Sequence, residues 1–183
     1  MRTRLIATAL VCGGLALSQT AHAATATLDG KKVKALTATF APGAQDHDAD
    51  LVTDQAGSGD RVNCADTRCG KLPFVFKPAK GARGDLSFTI SWATPGQDFD
   101  LYVVEYAKDG TAAQIATCGA TAGTHETVVV PSSDLKAGKK YGLVVDYYRV
   151  VTDKVTATVS FPGTATPGTS PVDAAGVPVG CGM

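Results

Sequence analysis

From Asp85 to Ala93 the chain alternates without a break, with Leu86, Phe88, Ile90 and Trp92 on one side and Ser87, Thr89 and Ser91 on the other. A period of two places successive side chains on opposite faces of a strand, so this segment predicts a strand with one buried face. The same rhythm recurs along the chain. Phe99 to Tyr106 follows across Pro95-Gly96, and Ala112 to Cys118 follows across Asp109-Gly110. Tyr141 to Val151 puts Tyr141, Leu143, Val145 and Tyr147 on one side, and Lys154 to Phe161 does the same with Val155, Ala157, Val159 and Phe161. Lys32 to Phe40, Leu72 to Phe76 and Glu126 to Val130 are further candidates, ended by Pro42-Gly43, Pro78 and Pro131. No segment sustains a helical period. About eight short strands punctuated by Gly and Pro predict an all-β fold, a single β-sandwich.

Two stretches stand outside the alternation. Residues 44–63, AQDHDADLVTDQAGSGDRVN, are acidic, polar and turn-rich and read as a long loop. Residues 162–183, PGTATPGTSPVDAAGVPVGCGM, are rich in Pro, Gly and Thr and read as a flexible tail.

The start of the chain sets the compartment. Arg2 and Arg4 precede an apolar run from Leu5 to Leu17, and Ala21-His22-Ala23 closes it with small residues. That is the three-part pattern of a secretory signal over residues 1–23, and the run is too short to span a bilayer. The expectation is an exported, extracellular protein beginning at Ala24, with no membrane attachment after cleavage. A sandwich domain then covers 24–161. Without Arg2 and Arg4 the charge balance becomes 15 basic against 17 acidic residues. Such a balance offers no basic patch, which argues against nucleic acid as a partner.

Four cysteines follow the signal: Cys64, Cys69, Cys118 and Cys181. An even number in an oxidising compartment reads as two disulfides, and Cys64 with Cys69 and Cys118 with Cys181 is the favoured pairing. Zinc held with His47 or His125 is the competing use, but the Cys-x4-Cys spacing is unlike the usual zinc knuckles.

The acids carry the candidate chemistry. In TPGQDFDLYVVE, residues 94–105, alternation sends Asp98 and Asp100 to the same face, about 6.6 Å apart along the strand. Two carboxylates so placed can converge on one cation. Calcium takes six to eight oxygens, so Asp98 and Asp100, with Asp109 as a third ligand and backbone carbonyls completing the shell, form the candidate site, the alternative being that these are solvated strand and turn acids. Asp46, Asp48 and Asp50 resemble the start of an EF-hand loop, but Leu51 stands at its glycine position and Gly57 at its glutamate position. Catalytic signatures such as Gly-x-Ser-x-Gly and His-Glu-x-x-His do not occur, and the expectation is a protein that is not an enzyme. Arg83-Gly84-Asp85 reads as a turn opening a strand, and Trp92, in step with its apolar neighbours, reads as core.

Several of these pieces fall in a familiar order. GDLSFTISWATPGQDFDLYVVEYAKDGT, residues 84–111, followed by SDLKAGKKYGLVVDYY, residues 133–148, resembles the bacterial pre-peptidase C-terminal domain. The matching features are a strand ending in Trp92, the acidic strand Asp98 to Tyr102, the Asp109-Gly110 turn, and Leu135 to Gly138 before the Tyr-rich strand at Tyr141. The resemblance spans roughly residues 81–161. It implies a sandwich of jelly-roll type, not itself catalytic, in a family that usually accompanies secreted peptidases and has calcium-holding relatives. The 183 residues carry no peptidase signature of their own. The implied role is a secreted module, calcium-stabilised, that binds extracellular matrix, polysaccharide or a cell-envelope ligand. The alternative is a serine-protease inhibitor presenting the disulfide loop Cys64–Cys69 with Arg68 as its exposed contact.

Overall fold

A computed structural model describes residues 25–42, 45–46, 52–53, 61–62, 64, 69–118, 124–150 and 153–162. The signal segment, Asp48, Asp50, Arg68, Cys181 and the tail beyond Pro162 lie outside the described residues. The strands are β1 (Ala26–Asp29), β2 (Ala35–Phe40), β3 (Gln45–Asp46), β4 (Val52–Thr53), β5 (Arg61–Val62) and β6 (Cys69–Lys77). They continue as β7 (Asp85–Ser91), β8 (Asp98–Tyr106), β9 (Ala112–Cys118), β10 (His125–Pro131), β11 (Lys140–Val150) and β12 (Val155–Ser160).

Two sheets face each other. The smaller runs β10-β7-β12-β2, and the larger runs β1-β6-β11-β8-β9-β5-β4, with β3 paired to β11. The eight long strands β2 and β6 to β12 pair antiparallel, and every connection among them crosses from one sheet to the other except the β8–β9 hairpin. That order is a jelly-roll sandwich, two four-stranded sheets that roll over one another. The eight segments with strand alternation in the sequence are these eight strands.

The core lies between the sheets. Phe88, Ile90, Phe99, Leu101, Val103, Leu143, Val145, Val155 and Val159 are fully enclosed there, with Leu86, Trp92 and Phe161 beside them. Rings link the layers: Phe74 lies 6.0 Å from Phe88, Trp92 5.0 Å from Phe99, and Phe76 meets Phe161 edge-on at 4.9 Å. Trp92 is thus a core side chain, as its phase in the alternation predicts.

Four features differ from the sequence reading. Residues 44–63 do not form one uninterrupted loop, because β3, β4 and β5 extend the larger sheet from within them. The reach of β6 back to Cys69 is hidden in sequence by Gly70 and Pro73. Pro73 is tolerated because the pairing with β1 begins only at Phe74, one residue beyond it. The outer face of β7 is not wholly solvent-facing either, since Ser87 is 2% exposed. A further short strand, β1, pairs parallel to β6 and buries Leu28 in the core.

Cys64 and Cys69 are joined in a disulfide, with Cα atoms 5.8 Å apart, as the pairing favoured in sequence requires. Closing so short a loop contributes about 2 kcal/mol on the chain-entropy view. Peptide mapping without reduction is expected to recover Cys64 linked to Cys69. The double replacement Cys64→Ser with Cys69→Ser should lower unfolding free energy by that amount in a denaturant titration. Loss of nothing measurable would show that the loop is held by its surroundings alone.

Candidate functional site

The loop before β8 is pinned near its start. Pro95-Gly96 turns the chain, with Gly96 at φ 87°, a conformation glycine adopts without strain. The Asp153 carboxylate accepts hydrogen bonds from the Thr94 backbone N–H at 2.6 Å and from its hydroxyl at 3.0 Å. The chain therefore enters β8 in a set direction, and its alternation follows. Phe99, Leu101 and Val103 point into the core, while Asp98 and Asp100 stand half-buried on the outer face of the larger sheet.

The pairing across β11 adds a residue that the sequence reading passed over. Asp146 lies directly opposite Asp100, and on its other side it lies opposite Cys69. Asp146 is 0% exposed. Cys69, Asp146 and Asp100 thus make one row across three strands, with the disulfide at its end. The next residues along the same face, Tyr102, Val104 and Val144, form a second apolar cluster with Val62, Cys64 and Ala112. This explains why LYVV in β8 breaks the polar alternation: its outer positions are covered too. An acid between Val144 and Tyr148 in an otherwise apolar strand was the available signal for Asp146.

Asp109 does not join this group. It sits in the turn after β8, where its carboxylate accepts the Thr111 backbone N–H at 3.0 Å. The six steps from Asp100 to Tyr106 alone span about 20 Å at strand rise. Asp109 thus stands well along the strand direction from Asp98 and Asp100, since alternation reveals a shared face but not distance along it. Among the described residues no group of three or more His, Cys, Asp or Glu side chains is arranged to hold a metal ion. A cation at Asp98, Asp100 and Asp146 would depend on carbonyl and water oxygens for much of its shell.

At the far end of β8 the chemistry is structural. Lys139 approaches Glu105 at 3.0 Å, and the hydrogen bond and charge of that glutamate raise the lysine's pKa. Burial pushes the Tyr106 and Tyr147 phenols up, so both rings stay neutral and act as packing groups. A concavity of about 290 Å³ lies at the sandwich edge, where Arg83, Asp85, Ser132 and Ser133 stand around Phe76 and Leu135. Gly84 is needed there for its backbone: φ is 124°, and a Cβ would come 2.9 Å from that of Pro162. The Arg-Gly-Asp triplet thus has a conformational reason for its glycine.

No family model matches the chain, and no curated protein matches it. Among solved structures, it is similar to a chain in the structure of infectious bursal disease virus Gx strain, at 18% identity and a TM-score of 0.24. That match covers 74% of this chain and 35% of the viral one. At this level the likeness carries no argument about function. Among the described residues no helix is long and apolar enough to cross a membrane.

Proposed function

We propose that this chain is a secreted, non-catalytic binding module, a relative of the pre-peptidase C-terminal domain, whose sandwich is stabilised by calcium and engages an extracellular polymer such as matrix, polysaccharide or cell envelope. The observation that carries the cation is the register of Asp100 opposite Asp146. Carboxylates placed opposite one another on neighbouring strands, with Asp98 on the same face, can converge on one divalent ion.

Calcium bound only by the folded state raises stability, by about 2.7 kcal/mol at a hundredfold excess over Kd. A melt in millimolar calcium is therefore expected several degrees above one in chelator, and Asp100→Asn with Asp146→Asn should abolish the difference. Equal melting of the wild type in both conditions would remove calcium from the proposal. The polymer is tested by co-sedimentation with insoluble cell wall, polysaccharide and collagen, where retention on one and not the others names the class. Retention on none would end the binding-module reading.

The Cys64–Cys69 disulfide favours a second reading, that the enclosed loop presents Arg68 to a serine protease. A closed loop loses little ordering entropy on binding. Dose-dependent inhibition of a trypsin-like enzyme, lost in Arg68→Ala, would support that reading over the first.

A further inference from the structure

The outer face of the smaller sheet, on the opposite side of the sandwich from Asp100, carries a regular grid of hydroxyls. Its rows follow from the strand register. Thr37, Thr158, Thr89 and Thr127 stand side by side across β2, β12, β7 and β10. Two residues along, Thr39, Thr156 and Ser91 make a second row that ends at His125. The intervening residues, among them Ala38, Ala157 and Phe88, point to the core and hold the grid from beneath. Neighbouring strands repeat at about 4.8 Å and alternate residues at about 6.7 Å, so the oxygens form a two-dimensional lattice.

The side chains are held in place. Thr37 and Thr158 hydroxyls are 3.3 Å apart, Thr39 and Thr156 3.4 Å, and Thr89 and Thr127 3.1 Å. β-Branching restricts χ1 as well, so hydroxyl and methyl alternate in fixed positions. Thr37, Thr39 and Ser91 are exposed, and Thr89, Thr156 and Thr158 are half-buried. A third row, Ala35, Ser160, Ser87 and Val129, continues the face. Within it Ser87 is 2% exposed, and its hydroxyl has no hydrogen-bond partner among the described residues. A buried hydroxyl without a partner costs roughly 1–3 kcal/mol, which a fixed water on this face would offset.

Charge decides what kind of partner fits. The twelve positions of these three rows hold no Lys, Arg, Asp or Glu, although 19% of the chain is charged and about two would be expected there. Even the edge strand β2, where charges commonly guard against pairing with other chains, has none. The complement is an uncharged surface. The rows hold no Phe, Tyr, Trp, Asn, Gln or carboxylate, the groups that grip sugar rings and their diols, and the imidazole of His125 stands at the margin of one row. What remains is a rigid hydroxyl and methyl lattice, which suits a lattice of water oxygens. A hydroxyl gains little over liquid water from a single contact. Many hydroxyls in fixed register gain together only when the water is itself ordered.

We propose that the Thr-rich face of β2, β12 and β7 is an ice-binding surface. The proposal goes beyond the polymer-binding reading and does not depend on calcium, since it uses the other sheet. The test freezes a dilute solution of the full secreted chain slowly around a cold probe and measures its concentration in ice relative to liquid, with serum albumin as the excluded control. Recrystallisation of fine-grained ice is followed in parallel. The wild type is expected to enrich several-fold over albumin in the ice and to slow crystal coarsening. Thr158→Lys should fall to the control level while its melting temperature stays within a few degrees of wild type. Thr39→Lys, at the exposed edge strand, provides the same test should Thr158→Lys fail to fold. Exclusion of the wild type from ice overturns the proposal, and so does equal enrichment of both lysine variants. Retention on cellulose, or a concentration-dependent dimer lost in Thr39→Lys, without enrichment in ice would assign the face to a polysaccharide or to a second copy instead.

Discussion

Phe99→Ala is expected to lower the melting temperature by about 6–20 °C. The ring is fully buried in the middle of the sandwich, with Trp92 at 5.0 Å and Tyr147 meeting it edge-on at 6.2 Å. Removing a buried Phe costs about 3–5 kcal/mol, the lost transfer energy plus the cavity that stiff neighbours leave open. For a domain of this size each kcal/mol is worth roughly 2–4 °C. Ile115→Ala, at a position 38% exposed, should shift the melt by little. The comparison by calorimetry also tests the inward phase of β8. If Phe99 faced solvent and Asp98 the core, Phe99→Ala would be mild and Asp98→Ala severe.

Gly70→Ala should be nearly as informative, because two effects of opposite sign meet there. Alanine is normally preferred to glycine in a strand by roughly 0.5–1 kcal/mol. At this position the new Cβ would come 2.5 Å from the Tyr147 hydroxyl oxygen and 2.7 Å and 2.8 Å from atoms of the Phe40 ring. Overpacking of that kind costs about 1–3 kcal/mol, so the clash wins and stability falls. Tyr147 is wedged against Phe99 and has little room to yield. Phe40 comes from the edge strand of the other sheet, so Gly70→Ala combined with Phe40→Leu should recover part of the loss. A stabilised single variant would mean that the sheets are further apart at Gly70 than the structure has them.

Much of this arrangement was legible in the residues. Leu86, Phe88, Ile90 and Trp92 could face only one way once their segment was a strand, because a period of two leaves a single inward set. The same holds for Phe99, Leu101 and Val103, and for Tyr141, Leu143 and Val145. Asp98 and Asp100 therefore shared a face before any neighbour was known. The strand β1 was missed because four residues, ATLD, are too few to display a period, and its place depends on β6. The distance of Asp109 from Asp100 was not legible, because a turn residue carries no record of how far its strand has run.

By itself, then, the sequence determined which segments are strands, which face of each is apolar, where the turns fall, and that Cys64 could reach Cys69. Those properties are local, set by side-chain periodicity, by Gly and Pro conformations, and by a gap of five residues. The tertiary structure decided what stands beside what. Asp146 reaches Asp100 across 46 positions of chain, and Thr37 reaches Thr158 across 121. Such pairings depend on which strands become neighbours and in what register, and that is settled when both sheets close over one shared core. The acidic row and the hydroxyl grid both arise at that step, from residues that look like ordinary polar positions when each strand is read alone.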